Sequence, residues 1–266
     1  MARTRYLLYC VFEKSGDRII CVLSPAEGMH VQVLEKHGLC VAFSEVLDAG
    51  MTHDMSQAMN YHRVIESFFN QVTVVPFRFG TLLDDRVDLE RLLTDRAEHY
   101  RETLEALEGN VEMGIRAIMD ANEIPRGKSR PLRAVPSFDR PDAGKQYLLN
   151  RTAYYQTEAS LAREKEQVAQ KFRIALAGMF RGFRSEASWS GPERQELGTI
   201  LVSLYFLVPK KLVSLFRKAF SSLAAKESSK LLLSGPWPPY NFVLPDDSRA
   251  SQHQSPFKPD RYRVEY

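Results

Sequence analysis

The stretch Ser234–Val243 constrains the fold of this chain most, since its ten positions hold three prolines, one glycine and three large aromatic residues. Each proline fixes φ at about −65° and removes a backbone donor, which excludes helix interiors and central strands. The sequence therefore predicts a stiff, polyproline-like ribbon, here named the closing segment. Its aromatics either fill the core or form a binding surface, and we expect Trp237 to be mainly buried and Tyr240 to lie nearer the surface.

A second constrained stretch is Val74–Asp85, here named the central motif. Its β-branched strand must end at Pro76, or Pro76 must lie at a sheet edge. Gly80 permits a sharp turn, and Asp85 is suited to cap the next helix. The central motif therefore predicts a strand, a turn and a helix in immediate succession.

Arg78 lies between two phenylalanines and next to this turn. One interpretation is structural: a partly buried guanidinium that stacks on an aromatic ring or binds carbonyls. We then expect Arg78→Ala to reduce stability by about 1 to 3 kcal/mol. The other interpretation is a contact with a carboxylate of a partner.

Both stretches resemble the signatures of the gas vesicle accessory proteins of the F/L type. Arg5–Tyr9, His62 and Leu107–Gly114 also fit that family, in the same order, so the resemblance covers roughly residues 5 to 243. It implies a cytoplasmic gas vesicle assembly protein without known catalytic activity, which binds the small shell protein and other accessory proteins. The candidate interaction or motif residues are Pro76, Arg78, Phe79, Gly80, Trp237, Pro238, Pro239, Tyr240 and Phe242.

Composition is compatible with that function. The net charge of +3, from 36 basic and 33 acidic residues, is too balanced to require a nucleic acid or an anionic membrane as partner. The apolar run at Thr199–Val208 is half of the roughly 20 residues that a membrane-spanning helix needs. Three cysteines without metal-ligand spacing indicate buried thiols in a reducing compartment: Cys10, Cys21 and Cys40.

The motifs of common active sites are missing, and we expect neither a metal nor a cofactor. His53 and His62 are nine residues apart, which places them about 180° apart on an ideal helix. Asp84 and Asp85 already have a role in starting a helix. Three alternatives stay open: a minor structural component of the gas vesicle shell, a metal-dependent or cysteine enzyme, and an RNA-binding regulator that uses the basic run at residues 126–140.

The order of strand and helix signals predicts an α+β protein with two domains. The first, residues 1–121, is expected to be a ferredoxin-like α/β sandwich. A proline-rich basic linker or loop follows at 122–142. The second domain, 143–244, is expected to open with a long helix to about residue 181, and 245–266 to be a polar tail. In the first domain, the helical stripe of buried residues is expected at Met55, Ala58, Met59, His62, Ile65 and Phe69.

Overall fold

A computed structural model describes residues 4–14, 30–47, 54–120, 162–163, 165–190, 199–227 and 230–243. Helices and antiparallel sheets alternate along the chain, so the α+β prediction is confirmed. The described residues form two compact units, which divide between Ala106 and Leu107, with Val243 again in the first unit. No helix within these ranges is long and apolar enough to cross a membrane.

The first unit is built on a sheet with the order β2-β3-β1-β4, in which β5 also pairs with β1 and all pairs are antiparallel. Its strands are β1 (Thr4–Glu13), β2 (Val31–Lys36), β3 (Leu39–Leu47), β4 (Val75–Pro76) and β5 (Leu82–Leu83). Every side chain from Leu7 to Phe12 is buried, as the apolar run in the sequence indicates. The turn between β2 and β3 has positive φ at both His37 (54°) and Gly38 (79°), which suits a tight hairpin.

Three helices accompany this sheet: α1 (Met55–Phe69), α2 (Arg86–Asp95) and α3 (Ala97–Leu107). The apolar spacing from Leu89 to Leu107 predicts a single helix where α2 and α3 stand. The chain leaves helical geometry at Arg96, where φ is −116°. One turn earlier the Thr94 hydroxyl donates to the Glu90 carbonyl at 2.9 Å, a bond that competes with the helix and bends it.

The buried face of α1 differs from the predicted stripe. Met55 and Met59 are 70% and 53% exposed, so their assignment to the core is wrong. The residues that α1 buries are Tyr61, Val64, Ile65, Phe68 and Phe69. The helix carries two neighbouring apolar stripes, and the aromatic one faces β1, where Tyr61 stacks on Tyr9 and Phe68 on Phe12.

The second unit is built on a four-stranded antiparallel sheet with the order β7-β8-β6-β9. Its strands are β6 (Asn110–Asp120), β7 (Gly182–Ser190), β8 (Thr199–Pro209) and β9 (Lys230–Trp237). A helix over 165–175, named α4, and α5 (Val213–Ala224) belong to the same unit. Phe206 on β8 is fully buried in a cluster of rings with Phe180, Phe183 and Phe216.

The assignment of β6 to the first domain is wrong. This strand pairs with β8 along its whole length and with β9 on its other side, so it is a central strand of the second unit. Its alternating sequence carries no signal of which sheet it joins. The predicted linker at 122–142, the helical region before residue 162 and the tail at 245–266 lie outside the described residues.

The ferredoxin-like prediction for the first domain is not confirmed. The antiparallel order β2-β3-β1-β4 is the strand order of such a sandwich, but the segment between β1 and β2, where its first helix is expected, lies outside the described residues. Two details of the second domain also differ from expectation. The sequence predicts a seam of apolar residues seven apart that includes Ala175, and a buried face after Pro209 that includes Leu215, but Ala175 is exposed and Leu215 is 49% exposed.

Candidate functional site

The closing segment begins as the end of an edge strand and then folds into a turn. Ser234–Trp237 completes β9, and Tyr240–Phe242 forms a short 3₁₀ helix. The Tyr240 amide donates to the Pro238 carbonyl at 2.8 Å, and the Phe242 amide donates to the Pro239 carbonyl at 3.1 Å. The predicted polyproline-like ribbon is therefore wrong for these last residues, which curl back over the sheet.

A buried carboxylate holds this turn. Glu112 on β6 is 4% exposed, and its two carboxylate oxygens accept from the Asn241 side-chain amide at 2.7 Å and from the Asn241 backbone amide at 2.8 Å. Burial raises the pKa of Glu112, and the two hydrogen bonds from Asn241 oppose that rise. Glu112 thus fixes the position of the closing segment on the face of the sheet.

Two glycines make room for the closing segment. Gly235 has φ +102°, and a Cβ there would lie 2.6 Å from the Glu112 carbonyl oxygen. A Cβ on Gly182 of β7 would lie 3.0 Å from the ring of Phe242. From α5, Arg217 donates to the Gly235 carbonyl at 2.8 Å. The backbone of the closing segment is therefore fixed by close packing as well as by hydrogen bonds.

The exposure of its side chains reverses one expectation. Trp237 is 37% exposed and Tyr240 is half-buried, so the expectation that Tyr240 lies nearer the surface than Trp237 is wrong. Phe242 fills the buried aromatic position, with the guanidinium of Arg184 lying 5.9 Å from its ring centroid. Pro238 and Pro239 are buried. Trp237 is exposed because it ends an edge strand, whereas the turn folds Phe242 inward.

The central motif is hydrogen-bonded to β1 at a bulge in that strand. The register between β1 and β3 shifts between Leu8 and Cys10, and the Tyr9 carbonyl accepts from the Phe77 amide at 2.8 Å. The Leu8 amide donates to the Thr81 carbonyl at 3.0 Å. Pro76 is buried on β4 opposite Cys10, at the sheet edge that the sequence predicted. A bulge re-aims backbone groups, and here it turns them toward the central motif.

The hydroxyl of Tyr61 organises the turn of the central motif. It donates to the Leu8 carbonyl at 2.7 Å and lies 3.0 Å from the Phe77 carbonyl and 3.2 Å from the Arg78 carbonyl. Phe79 is half-buried against the Tyr61 ring, with a centroid separation of 5.1 Å. Gly80 has φ +85°, as a turn there requires.

Arg78 itself is exposed, so the prediction of a partly buried guanidinium is wrong. The backbone carbonyl of Arg78 stabilises the turn instead, because it also accepts a hydrogen bond from the Thr81 hydroxyl at 2.7 Å. The side chain points away from a turn that is already satisfied by backbone and tyrosine contacts. Arg78 is thus exposed at the surface, whereas Pro76, Pro238, Pro239 and Phe242 are buried.

The residues considered for catalysis have other roles. Asp85 caps α2 by accepting from the Asp88 amide at 2.8 Å, and Asp84 forms an ion pair with Arg5 at 3.1 Å. His53 lies outside the described residues, and within them no group of three or more His, Cys, Asp or Glu could hold a metal ion. Burial raises the pKa of the Cys40 thiol, which opposes thiolate formation.

A groove of about 470 Å³ opens in the second unit. Its lining holds one charged side chain, Arg173, whose guanidinium lies 5.4 Å from the Phe183 ring centroid. The other lining residues are Gln170, Ile174, Ala177 and Phe180. General acid–base chemistry requires a titratable group near neutral pH, and this groove offers none.

Sequence reasoning missed the two side chains that hold these segments in place. Glu112 lies on the polar side of an alternating strand, together with Arg116 and Asp120, and this alternation does not indicate that it is buried. Tyr61 lies at helical spacing from Val64, Ile65 and Phe68, a stripe that competes with the predicted one. Neither pattern indicates which segment the side chain holds in place.

Comparison with known proteins identifies the family. The family model described as gas vesicle synthesis protein GvpL/GvpF matches residues 5–244. Gas vesicle protein F of Streptomyces sp. (strain CB03234) is 28% identical over 174 residues, which cover 64% of this chain and 70% of that protein.

Two crystal structures of GvpF share the fold. The one from Anabaena sp. PCC7120 aligns with a TM-score of 0.62 at 19% identity, over 94% of this chain and 99% of that one. The one from Microcystis aeruginosa aligns with a TM-score of 0.64 at 18% identity, over 90% and 99%. The chain belongs to the gas vesicle synthesis protein GvpL/GvpF family, and its role lies in gas vesicle formation.

Proposed function

We propose that this chain is a non-enzymatic assembly protein in the cytoplasm, which binds the small shell protein and other accessory proteins during vesicle nucleation or growth. Family membership supports the setting of this proposal, since the family is one of gas vesicle accessory proteins and not a known enzyme family. The groove and the cysteine described above offer no catalytic group to support an enzymatic alternative.

The observation that carries the proposal is the exposed apolar side of β9. Leu232 is 48% and Trp237 37% exposed, and they stand opposite Arg116 and Glu112 of β6. Positions separated by four residues on β6 share one face of the sheet and lie about 13 Å apart. The two exposed side chains therefore lie along one edge of the sheet, on the same face, named here the β9 surface.

A shell subunit needs a partner with a surface of this kind before it assembles. A protein that lines a gas space must expose apolar surface and open strand edges before it polymerises. An edge strand with apolar side chains can receive such a strand through main-chain hydrogen bonds and side-chain contacts. Gly235 and Pro236 interrupt β9, so the residues that can pair with an added strand are those from Leu231 to Ser234.

The closing segment prepares this surface for binding. Glu112 holds the turn at Asn241, and Arg217 holds the Gly235 carbonyl, so the backbone beside Trp237 is fixed before any partner arrives. Binding to a fixed surface loses less conformational entropy, and Trp is among the commonest interface anchors.

Co-expression with the shell protein tests the proposal. The tagged chain should retain the shell protein on an affinity resin, and Trp237→Ala and Leu232→Glu should each reduce the retained amount severalfold. Val87→Ala, which alters an exposed apolar residue of the first unit, is the matched control. Thermal denaturation must show that both β9 variants remain folded.

Two outcomes would contradict parts of the proposal. Retention that is unchanged in two folded β9 variants would remove this surface from shell-protein binding. Persistence of the chain in urea-stripped, washed vesicles, detected by immunoblotting, would favour a minor structural component of the shell over an assembly factor.

A further inference from the structure

The outward side of α5 concentrates positive charge. Between Lys210 and Lys226 the sequence has five basic residues and no acidic one, although the whole chain carries only +3. All five are exposed. The concentration is therefore local and is directed toward solvent.

Two of these residues, Arg217 and Lys218, lie on one face of α5, and Lys211 lies in the short 3₁₀ helix Lys210–Leu212 that precedes it. At 100° per residue, the exposed positions of α5 span an arc of about 140°, opposite the buried Phe216 and Phe220. The basic face of α5, as named here, comprises Ser214, Arg217, Lys218, Ser221 and Ser222 together with the exposed Lys211 of the preceding turn, and Leu215 lies at its margin.

Within the described ranges, acidic side chains do not neutralise this face. Glu227, the first acidic residue after it, forms an ion pair with Lys171 on α4. Lys211, Arg217 and Lys218 make no ion pair with any residue in the described ranges. The hydrogen bond from Arg217 to the Gly235 carbonyl keeps its guanidinium at the surface and leaves its charge uncompensated.

Two features favour a protein partner over a nucleic acid. Leu215 offers an apolar contact that a phosphate backbone cannot use, and the face carries no aromatic side chain on which bases could stack. The hydroxyls of Ser221 and Ser222 already donate to the Arg217 and Lys218 carbonyls, at 3.0 and 3.1 Å. The basic side chains and Leu215 are therefore the groups of this face that remain to bind a partner.

We propose that the basic face of α5 binds an acidic amphipathic helix of another protein. Carboxylates spaced three, four and seven residues apart would face Lys211, Arg217 and Lys218, and an apolar residue between them would pack on Leu215. The proposal concerns a second surface and does not depend on which partner the β9 surface takes.

The test uses the purified full chain and a fluorescent synthetic helix of about 20 residues, with glutamates along one stripe and leucines beside it. Fluorescence anisotropy should show saturable binding that weakens as salt increases. The double variant Lys211→Glu/Lys218→Glu should weaken binding by at least roughly tenfold. Leu215→Ala should weaken it severalfold while leaving the salt dependence unchanged.

The matched control is Arg63→Glu/Arg86→Glu, which makes the same change in charge at two exposed positions of the first unit. It should change the Kd less than about twofold, because those sites lie outside the proposed surface. Equal affinity for a scrambled peptide of the same composition would overturn the proposal, since it would show non-specific attraction. Tighter binding to single-stranded RNA, or no binding to the peptide, would overturn it as well.

Discussion

The central motif and the closing segment are both held next to a sheet by one polar side chain, which is a hydrogen-bond donor in the first and an acceptor in the second. Each is a short stretch of proline, glycine and aromatic residues whose backbone leaves regular structure next to a sheet. In the central motif a donor, the Tyr61 hydroxyl, donates to the Leu8 carbonyl and lies within 3.2 Å of two more carbonyls. In the closing segment an acceptor, the Glu112 carboxylate, serves two amide groups of Asn241.

This difference follows from which polar groups each turn directs inward, away from regular backbone hydrogen bonds. The turn after Pro76 directs carbonyls inward, so a neutral hydroxyl is sufficient and no charge is buried. The turn after Pro239 directs amides inward, and a carboxylate can accept two of them at once. Burying a charged group is unfavourable unless it is hydrogen-bonded, so the closing segment depends more on its single anchor.

The largest effect is expected where the closing segment tolerates no side chain. Gly235→Ala combines a positive φ of 102° with a contact of 2.6 Å to the Glu112 carbonyl oxygen. We expect it to reduce the free energy of unfolding by at least about 3 kcal/mol in urea denaturation. Gly178→Ala separates the two causes, since its φ is 81° but nothing lies within 4 Å. Similar losses for both variants would show that the close packing around Gly235 is unimportant.

Removal of the carboxylate should have the next largest effect. Glu112→Ala leaves the Asn241 backbone and side-chain amides without their acceptor. Hydrogen bonds to charged groups contribute about 1.5 to 3 kcal/mol, so a loss on the order of 3 kcal/mol is expected. Exposed Glu186→Ala on β7 is the control and should change stability little. Equal effects of the two substitutions would disprove the anchoring role.

The same carboxylate predicts a pH dependence. Burial raises the pKa of Glu112 above its ordinary value of 4.5, so the native state holds this proton more tightly than the unfolded state does. The part of its stabilising contribution that depends on this proton is therefore complete below about pH 4.5 and is lost as pH rises through the raised pKa. The difference in unfolding free energy between wild type and Glu112→Gln should fall over this window. A difference that rises with pH would mean that the ionised form is the one favoured by folding.

The sequence predicts what depends on local patterns and misses what depends on pairing between distant elements. The hairpin at His37–Gly38, the cap at Asp85 and the edge position of Pro76 were all predictable, because each follows from one residue type and its neighbours. The sheet to which β6 belongs was not predictable, and neither were the two anchoring side chains, Tyr61 and Glu112. The Glu112 carboxylate accepts hydrogen bonds from Asn241, which lies 129 residues later in the sequence, and no local periodicity indicates a contact over that distance.

A smaller effect is expected in the first unit. Tyr61→Phe retains the ring contacts with Tyr9 and Phe79 and removes only the hydroxyl. The loss should be about 1 to 2 kcal/mol in thermal denaturation, as for one buried hydrogen bond. Tyr6→Phe is the control, because Tyr6 contributes a ring contact with Phe43. If Tyr61→Phe destabilised the protein as much as Glu112→Ala, the contrast between a neutral and a charged anchor would fail.

The smallest effect on stability is expected for Arg78→Ala, although this residue lies at the centre of the central motif. Its side chain is exposed, while its carbonyl, which any residue would supply, holds the turn through Thr81 and Tyr61. The melting temperature should therefore correspond to a change within about 0.5 kcal/mol, as for other surface positions. The same variant, used in the co-expression experiment, then measures binding without a folding defect. Reduced retention of the shell protein would make Arg78 a partner contact, and a clear loss of stability would show that the guanidinium, and not only the backbone, supports the turn.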